Sequence, residues 1–94
     1  MPLERLVTVV NPLGLHARPA ARLVTVVQQF QSRVLIRRAD AADFVDASSL
    51  LSVMFLAAVK GTQLVIRAEG EDEAAAIEAV AALFTENKES SHVF

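Results

Sequence analysis

Cysteine, tryptophan and tyrosine are absent from the 94 residues, and glycine and proline occur three times each. Without cysteine the chain has no disulfide, no thiol nucleophile and no cysteine zinc site, which fits a reducing compartment. The cytosol is therefore the expected location. The five phenylalanines are the only aromatics and the net charge is −2, so neither an RNA-recognition aromatic motif nor a basic balance points to nucleic acid. Apolar runs are broken by Arg22, Lys60 and the serines of 48–52, short of the ~20 residues that a bilayer span takes, so no membrane insertion is expected. The opening "MPLERLVTVV" alternates like a strand and lacks the basic, apolar and cleavage regions of an export signal. His92 is the only histidine besides His16, and Asp40, Asp43 and Asp46 miss the alternate-position spacing of a calcium loop. No metal, no cofactor and no catalytic triad are expected.

What remains is a chain that is 53% hydrophobic, enough for one modest core. A single domain is expected over 1–88, followed by a short flexible tail, 89–94. Residues 4–10 alternate as a strand that Asn11-Pro12 and Gly14 end. From 17 to 30, Ala20, Leu23, Val24 and Val27 recur at helical spacing. "RVLIRR", 33–38, and "DFVD", 43–46, read as a hairpin around Ala39-Asp40-Ala41-Ala42. Residues 48–58 suit a short helix capped by Asp46 or Ser48, with Lys60-Gly61 as its stop signal. Residues 62–70 alternate again. A final helix starts with Glu71, Asp72 and Glu73 in its first turn and turns Ile77, Val80 and Phe84 inward. The order β-α-β-β-α-β-α is too irregular for a doubly wound parallel sheet, which leaves an α+β layer with helices on one face of a largely antiparallel sheet.

The stretch "NPLGLHARPA", 11–20, sets an ionisable ring where the first helix begins. Pro19 fixes that start: it loses nothing in a first turn, whereas deeper in a helix it would cost ~3 kcal/mol. Histidine is a poor cap where Ser, Thr, Asp or Asn is usual. The positive end of the helix disfavours imidazolium, and a neutral ring nitrogen is a nucleophile. The same end attracts anions, so a phosphoryl group on the ring would lie near the N–H groups of Ala17 and Arg18 and the forked donors of the Arg18 guanidinium. The competing reading is an ordinary structural histidine among apolar neighbours.

Charge is divided along the chain. Between Glu4 and Asp40 lie Arg5, Arg18, Arg22, Arg33, Arg37 and Arg38 and no acid, whereas most acids follow. Arg18 and Arg22, one turn apart, make a basic rim beside His16 that steers phosphorylated or acidic partners, while Arg33, Arg37 and Arg38 read as solvated sheet charge. In 48–58, Leu50, Leu51, Val53, Met54, Phe55 and Leu56 leave no polar face. Either some are exposed as a docking patch or the helix is buried more deeply.

Gly14-Leu15-His16-Ala17-Arg18-Pro19-Ala20 resembles the active-site signature of HPr, the histidine-containing phosphocarrier family of the bacterial sugar phosphotransferase system. The likeness extends over about 4–86. "SSLLSVMFLAAVKG", 48–61, resembles that family's second helix, and "AEGEDE", 68–73, the entry to its third. The resemblance implies an open-faced β-sandwich of four antiparallel strands and three helices. It implies that His16 accepts a phosphoryl group from the phosphorylated first enzyme of the system and passes it to IIA units of sugar transporters, with Arg18 beside it. Leu50, Leu51 and Met54 become partner contacts. Ser49 aligns with a serine that a dedicated kinase modifies in some members, although Ser48 stands where a lysine often precedes it and Ser52 replaces a common glycine. Two residues read as inserted around 39–43.

Other readings are a regulatory module that binds partners through helix 48–58 without relaying phosphate, which the intact His16 counts against, and a carrier in a nitrogen-related or dihydroxyacetone-kinase branch.

Overall fold

Val7, Val34, Ile36, Leu64, Ile66 and Ala68 stand at alternate positions of extended segments, and a strand sends such residues to one face. In the computed structural model, which describes residues 2–85, the elements are β1 (Leu3–Thr8), α1 (Ala17–Val27), β2 (Arg33–Arg38), β3 (Val45–Asp46), α2 (Leu50–Met54), β4 (Gln63–Glu69) and α3 (Glu73–Thr85). The strands form one antiparallel sheet in the order β1-β4-β2-β3, with Val7 opposite Leu64 and Ile36 opposite Ile66. This is the expected open-faced arrangement. The expected tail, 89–94, with its His92, lies outside the described residues.

The inner face of the sheet is buried against Ala20, Leu23 and Val27 of α1, Val53 of α2, and Ala76, Ile77, Val80 and Phe84 of α3. Polar ties fix the helices over it. The Asp72 carboxylate accepts from the N–H groups of Gln31 and Ser32 and from the Ser32 hydroxyl, joining the turn before β2 to the start of α3. These bonds, the Ser32 hydroxyl foremost, hold the Asp72 carboxyl below the usual carboxylate range. On the outer face, the guanidinium groups of Arg37 and Arg67 both stand over the Phe44 ring, 5.2 and 5.9 Å from its centre.

Boundaries differ from the periodicity in places that have local causes. α1 ends at Val27 instead of 30 because the N–H groups of Gln29 and Phe30 turn to Val26 and Val27, tightening the chain into turns. β3 has only Val45 and Asp46 in register with β2, so most of the hairpin is loop. The largest correction concerns α2, which covers 50–54 and not 48–58. Asp46 and Ser48 do not cap it: the Asp46 carboxylate accepts from the backbone N–H and hydroxyl of Ser48, closing a turn ahead of the helix. Ser49 is the cap, accepting from the Ser52 N–H at 3.3 Å. Gly61 does not stop the helix either, since its N–H pairs with the Val9 carbonyl in the approach to β4. The chain leaves α2 through Ala57, the one non-glycine among the described residues with positive φ, at 51°. At the start of α3 only Glu73 stays in the first turn.

Candidate functional site

The chain reaches α1 through a loop that its own side chains shape. Asn11 closes a turn, its side-chain oxygen accepting from the Leu13 N–H and its carbonyl from the Gly14 N–H, both at 2.8 Å. Gly14 has φ +77, and a Cβ there would stand 2.6 Å from the Ala58 carbonyl oxygen, so only glycine lets the loop lie this close to the turn after α2. The next residue uses that approach: the Leu15 N–H donates to Ala58 O at 2.8 Å.

His16 follows as the N-cap of α1, its backbone extended (φ −85, ψ −168) and its side chain making no capping hydrogen bond. His16 is half-buried, between the buried Leu15 and the exposed Ala17 and Arg18. The Ala20 N–H is the first in the helix to find a carbonyl, that of His16, at 2.9 Å. The N–H groups of Ala17 and Arg18 therefore lie in the first turn without a helical acceptor, and Pro19 contributes none. No acidic side chain occupies this turn to neutralise it. Arg18 and Arg22 are exposed, and neither has an ion-pair partner among the described residues. The arrangement sets an imidazole, donor groups and the residue Arg18 at one electropositive helix end, with Arg22 one turn further along, which suits an anion joined to the ring.

α2 packs beside α1. Of its apolar residues Val53 is buried, whereas Leu50 (42%), Leu51 (64%) and Met54 (40%) are exposed. Sequence reasoning counts Phe55 among the apolar residues of 48–58, some of them exposed, but misses Leu13 and Val59. Phe55 (76%) and Leu13 (77%) are more exposed still and Val59 is as exposed as Leu51, and the close approach of Gly14 to Ala58 and Val59 joins the loop of Leu13 to the turn after α2. Leu13 carried a signal, an apolar residue inside a Pro-Leu-Gly turn with no periodic partner to bury it. Ser49 is half-buried at the opposite end of α2. Among the described residues no group of acids and histidines could hold a metal ion, and no helix is long and apolar enough to cross a membrane.

Comparison with known proteins agrees with this arrangement. Residues 3–86 match the family model PTS-HPr, described as the PTS HPr component phosphorylation site. The phosphocarrier protein HPr of Lysinibacillus sphaericus is 46% identical over 79 residues, covering 84% of this chain and 88% of that protein. The phosphocarrier protein NPr of Klebsiella oxytoca is 38% identical over 84 residues, covering 89% of this chain and 92% of the other. The crystal structure of HPr from Bacillus anthracis superposes with a TM-score of 0.79 at 34% identity, over 86% of this chain and 94% of that one. A match to the family model along nearly the whole chain, the same fold, and a histidine at the head of α1 together make this chain a member of the HPr family of phosphotransferase-system proteins.

Proposed function

We propose that the protein relays phosphoryl groups in the cytosol, accepting one on His16 from the phosphorylated first enzyme of the phosphotransferase system and surrendering it to IIA units of sugar transporters. The observation that carries this reading is a partly exposed His16, its side chain free of any capping bond, at the donor-rich end of α1. A lone pair of the ring attacks phosphorus while the bond to the donor breaks and its electron pair leaves with the donor. The same exchange, reversed, loads the acceptor. Arg18, the Ala17 N–H and the Arg18 N–H stabilise the phosphoryl oxygens in both directions. An N–P bond suits a relay because it is labile enough to be passed on. The protein turns over no small substrate alone: partners bound through Arg22, Leu50, Leu51 and Met54 complete each reacting centre, with no metal or cofactor.

Incubation with phosphoenolpyruvate and a first enzyme, followed by mass spectrometry before and after mild acid, tests the reading. The wild-type chain gains one acid-labile phosphoryl group and His16→Ala gains none; a gain in His16→Ala, or none in the wild type, overturns it. The similarity to an NPr favours a second reading, service in a nitrogen-related branch. Loading by that branch's own first enzyme in preference to the sugar enzyme would select it. Ser49 is a further proposed site, for a serine kinase and phosphatase: a phosphate on this cap would place negative charge beside Leu50 and Leu51 and repel an acidic partner.

A further inference from the structure

Arg38, which the sequence reads as solvated sheet charge, does something more specific. It ends β2, and its Nη1 donates to the carbonyls of Leu56 (3.2 Å) and Ala57 (3.3 Å) in the turn that leaves α2. The other edge of its guanidinium is taken by Asp40, with Nε on Oδ1 at 3.0 Å and Nη2 on Oδ2 at 3.3 Å. A planar fork held on one side by a carboxylate presents its remaining N–H in a fixed direction. The turn it grips is the one at Ala57, whose φ of 51° alanine adopts reluctantly. The next carbonyl, Ala58 O, receives the Leu15 N–H, and Leu15 precedes His16.

We infer that Arg38, oriented by Asp40, is a positioning residue for His16: it holds the left-handed turn at Ala57 so that the Ala58 carbonyl fixes Leu15 and, through it, the entry of the chain into α1. Asp40 lies within 39–43, the stretch that reads as lengthened in this sequence, so the loop supplies the acid that aims the clamp. The inference rests on the proposed role of His16 as phosphoryl acceptor, but its structural half stands on Leu15 alone.

The test compares Arg38→Met, which keeps the apolar stem and loses every donor, Asp40→Asn, and Ala57→Gly alone and with Arg38→Met. Two quantities are read on the intact chain: protection of the Leu15 amide from hydrogen exchange, and the kinetics of His16 loading from the phosphorylated first enzyme. Arg38→Met lowers Leu15 protection and lowers kcat about tenfold, with KM for the first enzyme changed less than about twofold, because geometry at the ring is lost and docking is not. Asp40→Asn acts in the same direction, less strongly. Glycine adopts the turn without help, so Ala57→Gly restores both readouts in the Arg38→Met background. Unchanged Leu15 protection in Arg38→Met overturns the clamp, as does a loss that Ala57→Gly does not restore or a rise in KM alone. If the wild type takes no phosphoryl group, the relay fails while the exchange measurements still decide the clamp.

Discussion

His16 gives up the ordinary virtue of a cap. Ser, Thr, Asp or Asn at that position would accept from the first turn and add ~1 kcal/mol to the helix. The ring makes no such bond, and the unclaimed N–H groups of Ala17 and Arg18 stay available to an anion. Arg18 belongs to the same arrangement: exposed and without an ion pair among the described residues, it contributes little to the fold. Arg18→Ala should therefore leave the thermal midpoint within a degree or two of wild type, a mild surface effect, while slowing phosphoryl transfer about 10²-fold. Rapid-quench loading assays beside a melting curve check both parts, and an unfolded variant would make the arginine structural. This much of the site was legible in the sequence, because a proline and a cap position are local facts. Arg38 was not. Its partners are Asp40, two residues away, and the carbonyls of Leu56 and Ala57, which only the folded chain brings to it.

Among the elements, the long periodic ones declared themselves and the short ones did not. Ile77, Val80 and Phe84 are buried on α3 as their spacing requires, and β2 occupies the expected 33–38. β3 and α2 were overestimated, since two paired residues and a helix of 5 residues owe their limits to neighbours more than to propensity. Three of the junctions rest on carboxylates. Asp72 is held below its ordinary range by the Ser32 hydroxyl and the Gln31 and Ser32 N–H groups, Asp46 by the Ser48 hydroxyl and N–H, and Asp40 by the Arg38 guanidinium. A carboxyl lower in the folded state than its unfolded value of ~3.9 stabilises the fold above about pH 4, and that contribution is lost as pH falls through the depressed folded value. Thermal midpoints should thus be nearly level from about pH 7 to 5 and drop below about pH 4. Asp72→Asn should lower the midpoint at neutral pH and flatten the drop; an equally steep acid limb in the variant would assign it elsewhere.

At the scale of the whole molecule, the head of α1 with His16 and an exposed apolar patch lie near one another. The loop of Leu13 lies against the turn after α2, so Leu13, Phe55 and Val59 extend the exposed surface of Leu50, Leu51 and Met54 toward the approach to His16. Exposed apolar residues on and after α2, with the exposed Arg18 and Arg22 on the neighbouring α1, fit partners that are apolar at the centre of contact and acidic at its rim. Leu51→Ser and Phe55→Ser should each raise KM for loading by the first enzyme about tenfold and leave kcat within about twofold, because truncating a central apolar contact weakens docking without touching the ring. Neither side chain supports the core, so the melting curves should hardly move.

The strand order carries a consequence for how the molecule comes into being. Among the described residues β1 is hydrogen-bonded to β4 and to no other strand, with Leu3 opposite Ala68, so the first of the four strands waits for the last one before it has a place. During synthesis the amino-terminal half must emerge with Val7 and Val9 still wet and their backbone unpaired. The carrier end of the molecule, His16 included, is thus translated early and assembled late, when closure of the sheet brings Ala58 to Leu15.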